Sequence, residues 1–262
     1  MKKFMYYLRV WGIMSKNSFL MVASQKMVFL IFLIGKLIRF GLFAVFLIFL
    51  LKGSQSLAGY TVNQIIFFFL TFNLIDIIAQ FLFREVYRFR PQIISGSFDL
   101  TLARPTNALF RSLMGGADII DLVTIPPIIF AMVYVGAALN PSIIHVSLFI
   151  ILLVNGFLIA TAFHIAVLAL GIITLEIDHT IMIYRDLVNM GRFPVDIYRE
   201  PLRGILTYLI PVGLMVTVPA KALMGLASAR GVILSFGVVA AAVFLSLKFW
   251  KLALRKYTSA SS

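Results

Sequence analysis

Five ionisable residues lie inside long apolar stretches of this sequence, where an unpaired charge would be costly. They are Lys36 and Arg39 in the first stretch, Asp76 in the second, and Asp118 and Asp121 in the third. The chemistry open to such residues is electrostatic: opposite charges pair, or a set of charges lines a polar path. Because Asp118 and Asp121 are three residues apart, they share one face of a helix.

These charges fall at similar depths if each stretch forms a helix. With a rise of about 1.5 Å per residue, Lys36 lies roughly 15 Å beyond Lys26, and Asp76 lies roughly 12 Å before Arg84. We therefore expect one layer, in which the two cations pair with the three carboxylates and join the first three helices. Two alternatives remain open: the cations extend to lipid headgroups, or the layer lines a translocation path.

The helices that carry these charges are long enough to cross a membrane. Of 262 residues, 61% are hydrophobic and 13% are charged, a balance that no water-soluble domain has. About 20 apolar residues cross a bilayer. The sequence predicts an all-α polytopic membrane protein with six transmembrane helices: spans at 27–51, 60–83, 112–139, 142–170 and 231–250, and a fifth, polar-faced span within 171–191, where 176–186 is unusually charged.

The net charge of +13 is concentrated in three segments. One precedes the first span, one separates the second and third spans, and one follows the last span: Lys2, Lys3, Arg9, Lys16 and Lys26; Arg84, Arg88, Arg90, Arg104 and Arg111; Lys248, Lys251, Arg255 and Lys256. The positive-inside rule places all three segments, and both termini, in the cytoplasm. The positive charge therefore predicts topology and contact with membrane lipid, and no nucleic-acid partner.

The remaining segments frame a single transmembrane domain at 27–250. Residues 1–26 read as a cytoplasmic amphipathic basic helix, and 251–262 as a cytoplasmic tail that is disordered from Arg255 onward. Segment 201–226 is apolar but is interrupted by Pro211 and Pro219, with Lys221 near its end. We interpret it as a re-entrant pair of half-helices, since broken backbone at membrane depth must be covered by protein.

The cytoplasmic connector, residues 84–111, is the strongest candidate for binding a partner. Asp99 is expected to cap a short helix, and Pro105 to limit its continuation. The side chains of Arg88, Arg90 and Arg104 are positioned to pair with acidic residues of a partner. The alternative is that these arginines only meet anionic lipid.

Catalytic motifs are missing from the sequence. It has no Gly-x-x-x-x-Gly-Lys-Ser/Thr phosphate loop, so any ATP-driven step requires a separate ATPase chain. There is no cysteine, and the three histidines are not at metal-ligand spacing. We therefore expect no catalytic residues, no metal and no cofactor in this chain.

Two segments resemble the type-2 ATP-binding-cassette (ABC) transporter permeases: IISGSFDLTLARPTNALF at 93–110 and GRFPVDIYREPLRGILTYLIPVGLMVTVPAKALMG at 191–225. The likeness is to a six-span branch with Gly-x-x-Asp-x-x-Leu-x-Arg-Pro after the second span, here Gly96, Asp99, Leu102, Arg104 and Pro105. It implies an amphipathic helix on the membrane, a coupling helix that docks on the ATPase, and a re-entrant hairpin before the last span.

The resemblance also implies a function. The chain would be the permease subunit of an ATP-driven exporter in a bacterial inner membrane, with ATP and Mg²⁺ bound by partner ATPase subunits. A second permease chain, identical or different, would complete the substrate path. An ion-driven secondary transporter and an integral membrane enzyme are the alternatives, and the sequence leaves the substrate and the direction of transport open.

Overall fold

The computed structural model describes residues 2–54, 57–175 and 177–258, and this part of the chain is helical, with no strand beyond one isolated bridge between Leu57 and Tyr60. The α-helices are α1 (Lys2–Ala23), α2 (Lys26–Ser54), α3 (Val62–Phe83), α4 (Phe89–Ile94), α5 (Ser97–Leu102), α6 (Ala108–Leu113), α7 (Ile119–Ala137), α8 (Ile143–Thr174), α9 (Ile177–Asn189), α10 (Leu202–Gly204), α11 (Val218–Leu223) and α12 (Ala229–Lys256). Short 3-10 turns at Arg84–Arg88, Met190–Arg192 and Val195–Ile197, and π-helical turns at Ile205–Leu209 and Gly213–Thr217, lie between them.

Five helical stretches of the described chain are long and apolar enough to cross a membrane: α2, α7, α8, α12 and the stretch Val62–Ile94, which comprises α3, the turn after it and α4. Two further stretches, Leu202–Leu209 and Gly213–Leu223, meet at an angle of 74° and give a sixth candidate if they are counted together. The prediction of an all-helical, multi-span protein is confirmed.

The third span begins later than predicted. The chain breaks between α6 and α7, so that α7 starts at Ile119 and not at residue 112. The break lies at Gly115 and Gly116, where a side chain on Gly115 would collide with Glu85 and one on Gly116 would press on Ser18 of α1.

Helix α3 is the centre of the bundle. It packs on α7 and α8, and α8 packs along α12. Phe67, Phe68 and Phe72 of α3 are fully buried, so its continuous apolar sequence reflects contacts on every side. By contrast, almost none of α2 is buried. A helix that is apolar all round and this exposed needs lipid or another chain against it.

The bundle has two chemically distinct ends. At the basic end, α1, the connector and the end of α12 meet: the rings of Tyr7 and Phe110 lie 4.7 Å apart, and those of Phe98 and Tyr257 lie 5.2 Å apart. At the far end lie the turns 57–61 and 139–142, and Gly225 contacts His145 there. The spans run between these two ends.

The predicted bounds of the fifth span are wrong. Helix α8 continues to Thr174, four residues beyond the predicted span, and ends at Leu175 in the left-handed conformation (φ 59°). Helix α9 has 13 residues, too few to cross a bilayer as a helix alone, and it is not among the candidate spans of the described chain. Glu176 lies outside the described residues.

The stretch after α8 nevertheless runs along the bundle. Asp178 pairs with Arg90 at the basic end, and Asp196 accepts a hydrogen bond from Tyr60 at the far end. Helix α9 and the two 3-10 turns that follow it therefore connect the two ends. A short helix suffices because the remainder is irregular backbone packed against α3, where Gly191 contacts Phe72.

The bent segment, 202–223, starts and finishes at the far end. Arg203 near its beginning and Lys221 near its end bind the same carboxylate, that of Asp196. Its second half packs on α8. Gly156 of α8 permits this contact, since a Cβ there would lie 2.3 Å from the carbonyl oxygen of Met215.

The C-terminal segment is more ordered than predicted. Helix α12 continues through Arg255 to Lys256, and the ring of Tyr257 packs edge-on against Phe98. Burial of this aromatic contact holds the chain to the connector. Residues 259–262 of the predicted disordered tail, and Gln55 and Ser56 of the predicted loop after the first span, lie outside the described residues.

We expect Gly156→Ala to destabilise the protein by about 1–3 kcal/mol, because the added methyl group collides with backbone that cannot rotate away. Gly237→Ala is the matched control, since a Cβ at Gly237 in α12 meets nothing within 4 Å. The measurement is the thermal midpoint of each variant in the same detergent. Equal midpoints for the two variants would contradict the close packing of the bent segment on α8.

Candidate coupling surface and charge layer

The connector is a compact unit of three short helices built around two phenylalanines. Phe89 of α4 and Phe98 of α5 are fully buried, with ring centroids 5.0 Å apart in an edge-on arrangement. Gly96 joins α4 to α5 with φ +70°, a conformation that favours glycine. Phe98 also contacts Trp250 and Tyr257 of α12. The connector is therefore fixed to the last span as well as to α3.

One surface of the connector faces outward. We define the connector face as the exposed residues Ile94, Leu100, Leu102, Arg104 and Pro105. Ile94 is 58% exposed and Leu100 is 63% exposed. Ile94 is the last residue of the candidate span Val62–Ile94, and the other four residues lie outside the candidate spans. Large apolar side chains exposed beside an arginine form the kind of surface through which proteins bind one another.

The other arginines predicted to bind a partner make different contacts. Arg90 Nη1 lies 2.8 Å from Asp178 Oδ2, so this arginine ties the connector to α9. Arg88 and Arg104 both line a cavity between the connector and α1, and Arg104 also belongs to the connector face. The structure thus divides the predicted set between internal contacts and an outward surface.

The predicted capping role of Asp99 is wrong. Helix α5 begins at Ser97, its N-cap is Gly96, and no side chain accepts a hydrogen bond there. Asp99 lies within the first turn, where a negative charge still favours the helix dipole. Burial, followed by the Asp99 carboxylate, raises the pKa of the Tyr257 hydroxyl. The Asp99 carboxylate therefore acts on Tyr257, next to the C-terminal end of α12.

Two ion pairs form within the predicted charge layer. The Lys36 ammonium binds the carboxylate of Asp121, and both side chains are mostly buried. Arg84 Nε lies 3.2 Å from Asp118 Oδ2, while Asp118 Oδ1 accepts a hydrogen bond from the backbone N–H of Ile120 and caps α7. These contacts join α2, α3 and α7 at the basic end.

Asp76 does not join a direct ion pair with any described residue, in contrast to the predicted pairing with Lys36 or Arg39. Its Oδ2 accepts a hydrogen bond from Gln80 Nε2 at 2.7 Å. The positive charges that act on it come from Arg185, Arg39 and Lys36. The reason is geometric: Lys36 is committed to Asp121, and the Arg39 guanidinium lies 5.5 Å from the ring centroid of Phe40.

A second charge cluster, at the far end, was not predicted. Asp196 Oδ2 accepts hydrogen bonds from Tyr60 Oη at 2.8 Å and Lys221 Nζ at 2.6 Å, and Asp196 Oδ1 lies 2.9 Å from Arg203 Nη2. We call these four residues the Asp196 cluster. It fastens the bent segment, which contains Pro211, Pro219 and Lys221, to the loop before α3.

The cluster favours the ionised form of Asp196. Burial alone would raise the pKa of this carboxyl group, but hydrogen bonds from Lys221 and Tyr60 and the charges of Lys221 and Arg203 outweigh burial and lower it. Burial and the Asp196 carboxylate raise the pKa of the Tyr60 hydroxyl. The sequence did contain a signal, since only ten acidic residues face 23 basic ones and each acid has several cations to meet.

No metal site is evident in the part of the chain that the structure describes. Within residues 2–54, 57–175 and 177–258, no three histidine, aspartate or glutamate side chains converge as ligands would.

Lys36→Met alone, or Asp121→Leu alone, is expected to destabilise the protein by about 3–5 kcal/mol, because each leaves an uncompensated buried charge. The double variant Lys36→Met with Asp121→Leu should recover most of that loss. Thermal midpoints in detergent measure the effect, with Lys251→Met, at an exposed position, as the control. Additive losses in the double variant would contradict the pairing.

The Asp196 cluster predicts a pH dependence. Because the pKa of Asp196 is lowered in the folded protein, its stabilisation is present above the ordinary carboxyl pKa of about 3.9. It is lost as the pH falls through the lowered folded value. Asp196→Asn should reduce stability at neutral pH and flatten the acid side of the stability–pH curve. Asp178→Asn, which breaks an exposed pair, is the control, and an equal change in both variants would contradict the assignment.

The chain was compared with known proteins. A family model described as ABC-2 family transporter protein matches residues 36–261. No curated protein and no solved structure matches the chain. The match includes the connector and the bent segment and confirms the resemblance that their sequences indicate. It covers far more than half of the chain, and the chain therefore belongs to the ABC-2 family of transporter proteins.

Proposed function

We propose that this chain is the permease subunit of an ATP-driven exporter, coupled to separate ATPase subunits that bind ATP and Mg²⁺. The observation that carries the proposal is the connector face, an exposed apolar and basic surface on a well-packed unit at the basic end. Family membership supports the kind of partner. The connector acts in this proposal as the coupling helix.

The contacts of the connector suit it to transmit movement. It continues directly from α3 through the turn Arg84–Arg88. The Arg90–Asp178 pair links it to α9, and Phe98 packs on Trp250 of α12. If an ATPase displaced the connector face, the displacement would therefore act on α3, α9 and α12 together. Such rigid-body coupling is how domain movements are transmitted through packed helices.

The charge distribution supports an orientation. The basic end carries α1, the arginines of the connector and the basic end of α12, so the positive-inside rule places it in the cytoplasm with both termini. We assign the chain to a bacterial inner membrane. The bent segment then enters and leaves from the opposite side as a re-entrant hairpin, since Arg203 and Lys221 meet at Asp196.

A second permease chain would complete the substrate path. Helix α2 supports this, because its exposed apolar side chains, such as Phe32, Leu42 and Phe49, cover almost its whole length. Lys36 ties α2 to α7, and Phe43, which stacks on Phe69, ties it to α3. The exposed side chains of α2 remain available to a partner. An identical and a different partner chain both fit this surface.

The second candidate is a secondary transporter driven by an ion gradient. One observation favours it: Asp76 lies in the bundle without a direct ion pair among the described residues, under the influence of three cations. A carboxylate in such a position is typical of ion coupling. The exposed connector face has no role in that mechanism, which is why the ATP-driven reading is preferred.

The test is co-purification of the tagged chain from its native host, with bound proteins identified by mass spectrometry. An ABC ATPase should be recovered, and Ile94→Ala with Leu102→Ala should lower its recovery about tenfold or more, since truncating a central apolar contact costs roughly 2 kcal/mol. Leu8→Ala with Ile13→Ala on the exposed surface of α1 is the matched control.

Two results would overturn the proposal. One is a stably folded chain that recovers no ATPase. The other is transport by the purified chain in vesicles with an ion gradient and no ATP, abolished by Asp76→Asn, which would establish the secondary transporter.

A further inference from the structure

A cavity of about 450 Å³, lined by both polar and apolar side chains, lies between α1 and the connector. Arg88, Arg104 and Arg111 contribute three guanidinium groups to its wall, against one carboxylate, that of Glu85. Met14, Asn17 and Ser18 of α1 form the opposite wall. Its charge is therefore strongly positive.

The three guanidinium groups of this cavity form no salt bridge and no side-chain hydrogen bond with the described residues. The one carboxylate of the wall, that of Glu85, accepts a hydrogen bond from Gln92 Nε2, and its charge favours the charged form of Arg111. Burial, and then the charge of Arg104, lowers the pKa of Arg111. Several unused guanidinium donors around one space match a group with several anionic oxygens, and a phosphate is such a group.

The cavity is held open by specific contacts and is not a gap beneath a loose helix. Ser15 Oγ accepts a hydrogen bond from the backbone N–H of Ala117 at 3.2 Å, and Tyr7 Oη accepts one from the backbone N–H of Asn107 at 3.2 Å. Ser15 is buried. Helix α1 is thus fixed at both ends of the cavity, beside the connector at one end and before α7 at the other.

An apolar cavity of about 350 Å³ adjoins the basic one. Ala23, Lys26, Phe29, Leu30 and Ile119 line it. Met21 and Gly116 line the basic cavity. Ala23, two residues after Met21, and Ile119, three residues after Gly116, line the apolar cavity. A free phosphate has no apolar group to fill this second cavity, whereas a phospholipid carries an acyl chain next to its phosphate.

We propose that these two cavities together bind one anionic phospholipid, with its phosphate among Arg88, Arg104 and Arg111 and an acyl chain against Phe29, Leu30 and Ile119. The position is consistent with a headgroup, since Lys26 opens the first span at the same level. The lipid would brace α1 against the connector. The site shares Leu100 and Arg104 with the connector face, whereas Arg88 and Arg111 belong to the cavity alone. The inference does not depend on an ATPase partner.

The test is native mass spectrometry of the full chain, delipidated in detergent and titrated with phosphatidylglycerol, phosphatidylcholine or glycerol phosphate. Phosphatidylglycerol should bind at one site, and Arg88→Gln with Arg111→Gln should weaken binding about tenfold or more. The matched control, Lys2→Gln with Lys16→Gln, removes two charges from exposed positions of α1 outside the cavity and should leave binding unchanged.

Three results would overturn the proposal: equal binding of phosphatidylcholine, equal weakening by the control pair, or displacement of the lipid by glycerol phosphate at similar concentration, which would indicate a site for a free phosphate.

If the arginine variants fail to fold, the native chain still gives a test. Phosphatidylglycerol with a photoreactive acyl chain should label peptides from residues 23–30 and around Ile119, and labelling confined to other spans would contradict the site.

Discussion

A bilayer interior offers no water to charged side chains or to broken backbone, so each must find a partner within the protein. At the basic end, Lys36 and Asp121 meet this requirement because each charge is the other's partner. Helix α2 is little buried, and this pair, together with the stacking of Phe43 on Phe69 of α3, fixes where it lies. A buried pair of this kind adds little net stability, because desolvation offsets the attraction. Its effect is to fix the position of one helix relative to another.

The same constraint shapes the far end. The bent segment contains two π-helical turns, and its residues 213–217 are buried against α8, which supplies Gly156 for the close approach. The carboxylate of Asp196 binds Arg203 and Lys221, one near each end of that segment, and accepts a hydrogen bond from Tyr60. The Asp196 cluster therefore holds the two ends of an irregular segment together.

Helix α3 connects the two ends. Tyr60 precedes it in the Asp196 cluster, and Arg84 follows it in a pair with Asp118. Because α3 is largely buried and leads into the connector through the turn Arg84–Arg88, it is the element through which the proposed ATPase would act on the far end.

The sequence predicted the parts of the fold that depend on local composition. Helices α2, α3, α7, α8 and α12 followed from apolar length, and the depth argument placed Lys36 level with Asp121. It could not predict that Arg84 would take Asp118, because the choice among nearby cations depends on helix rotation. Within the Asp196 cluster, Tyr60 lies 136 positions before Asp196. The short α9 is followed by irregular backbone that packs against α3. Both are tertiary effects that no local pattern records.

In the proposed orientation, the spans run between a cytoplasmic basic end and a far end at which the bent segment enters and leaves. The chain has no cysteine, so single cysteines can be introduced without background and probed with an impermeant maleimide on intact spheroplasts. Arg199→Cys before the bent segment and Arg230→Cys after it should both react from outside. Ser95→Cys in the connector should react only after the membrane is opened. Reaction of Arg199→Cys and Arg230→Cys from opposite sides would show that the segment crosses the membrane, and would contradict the account.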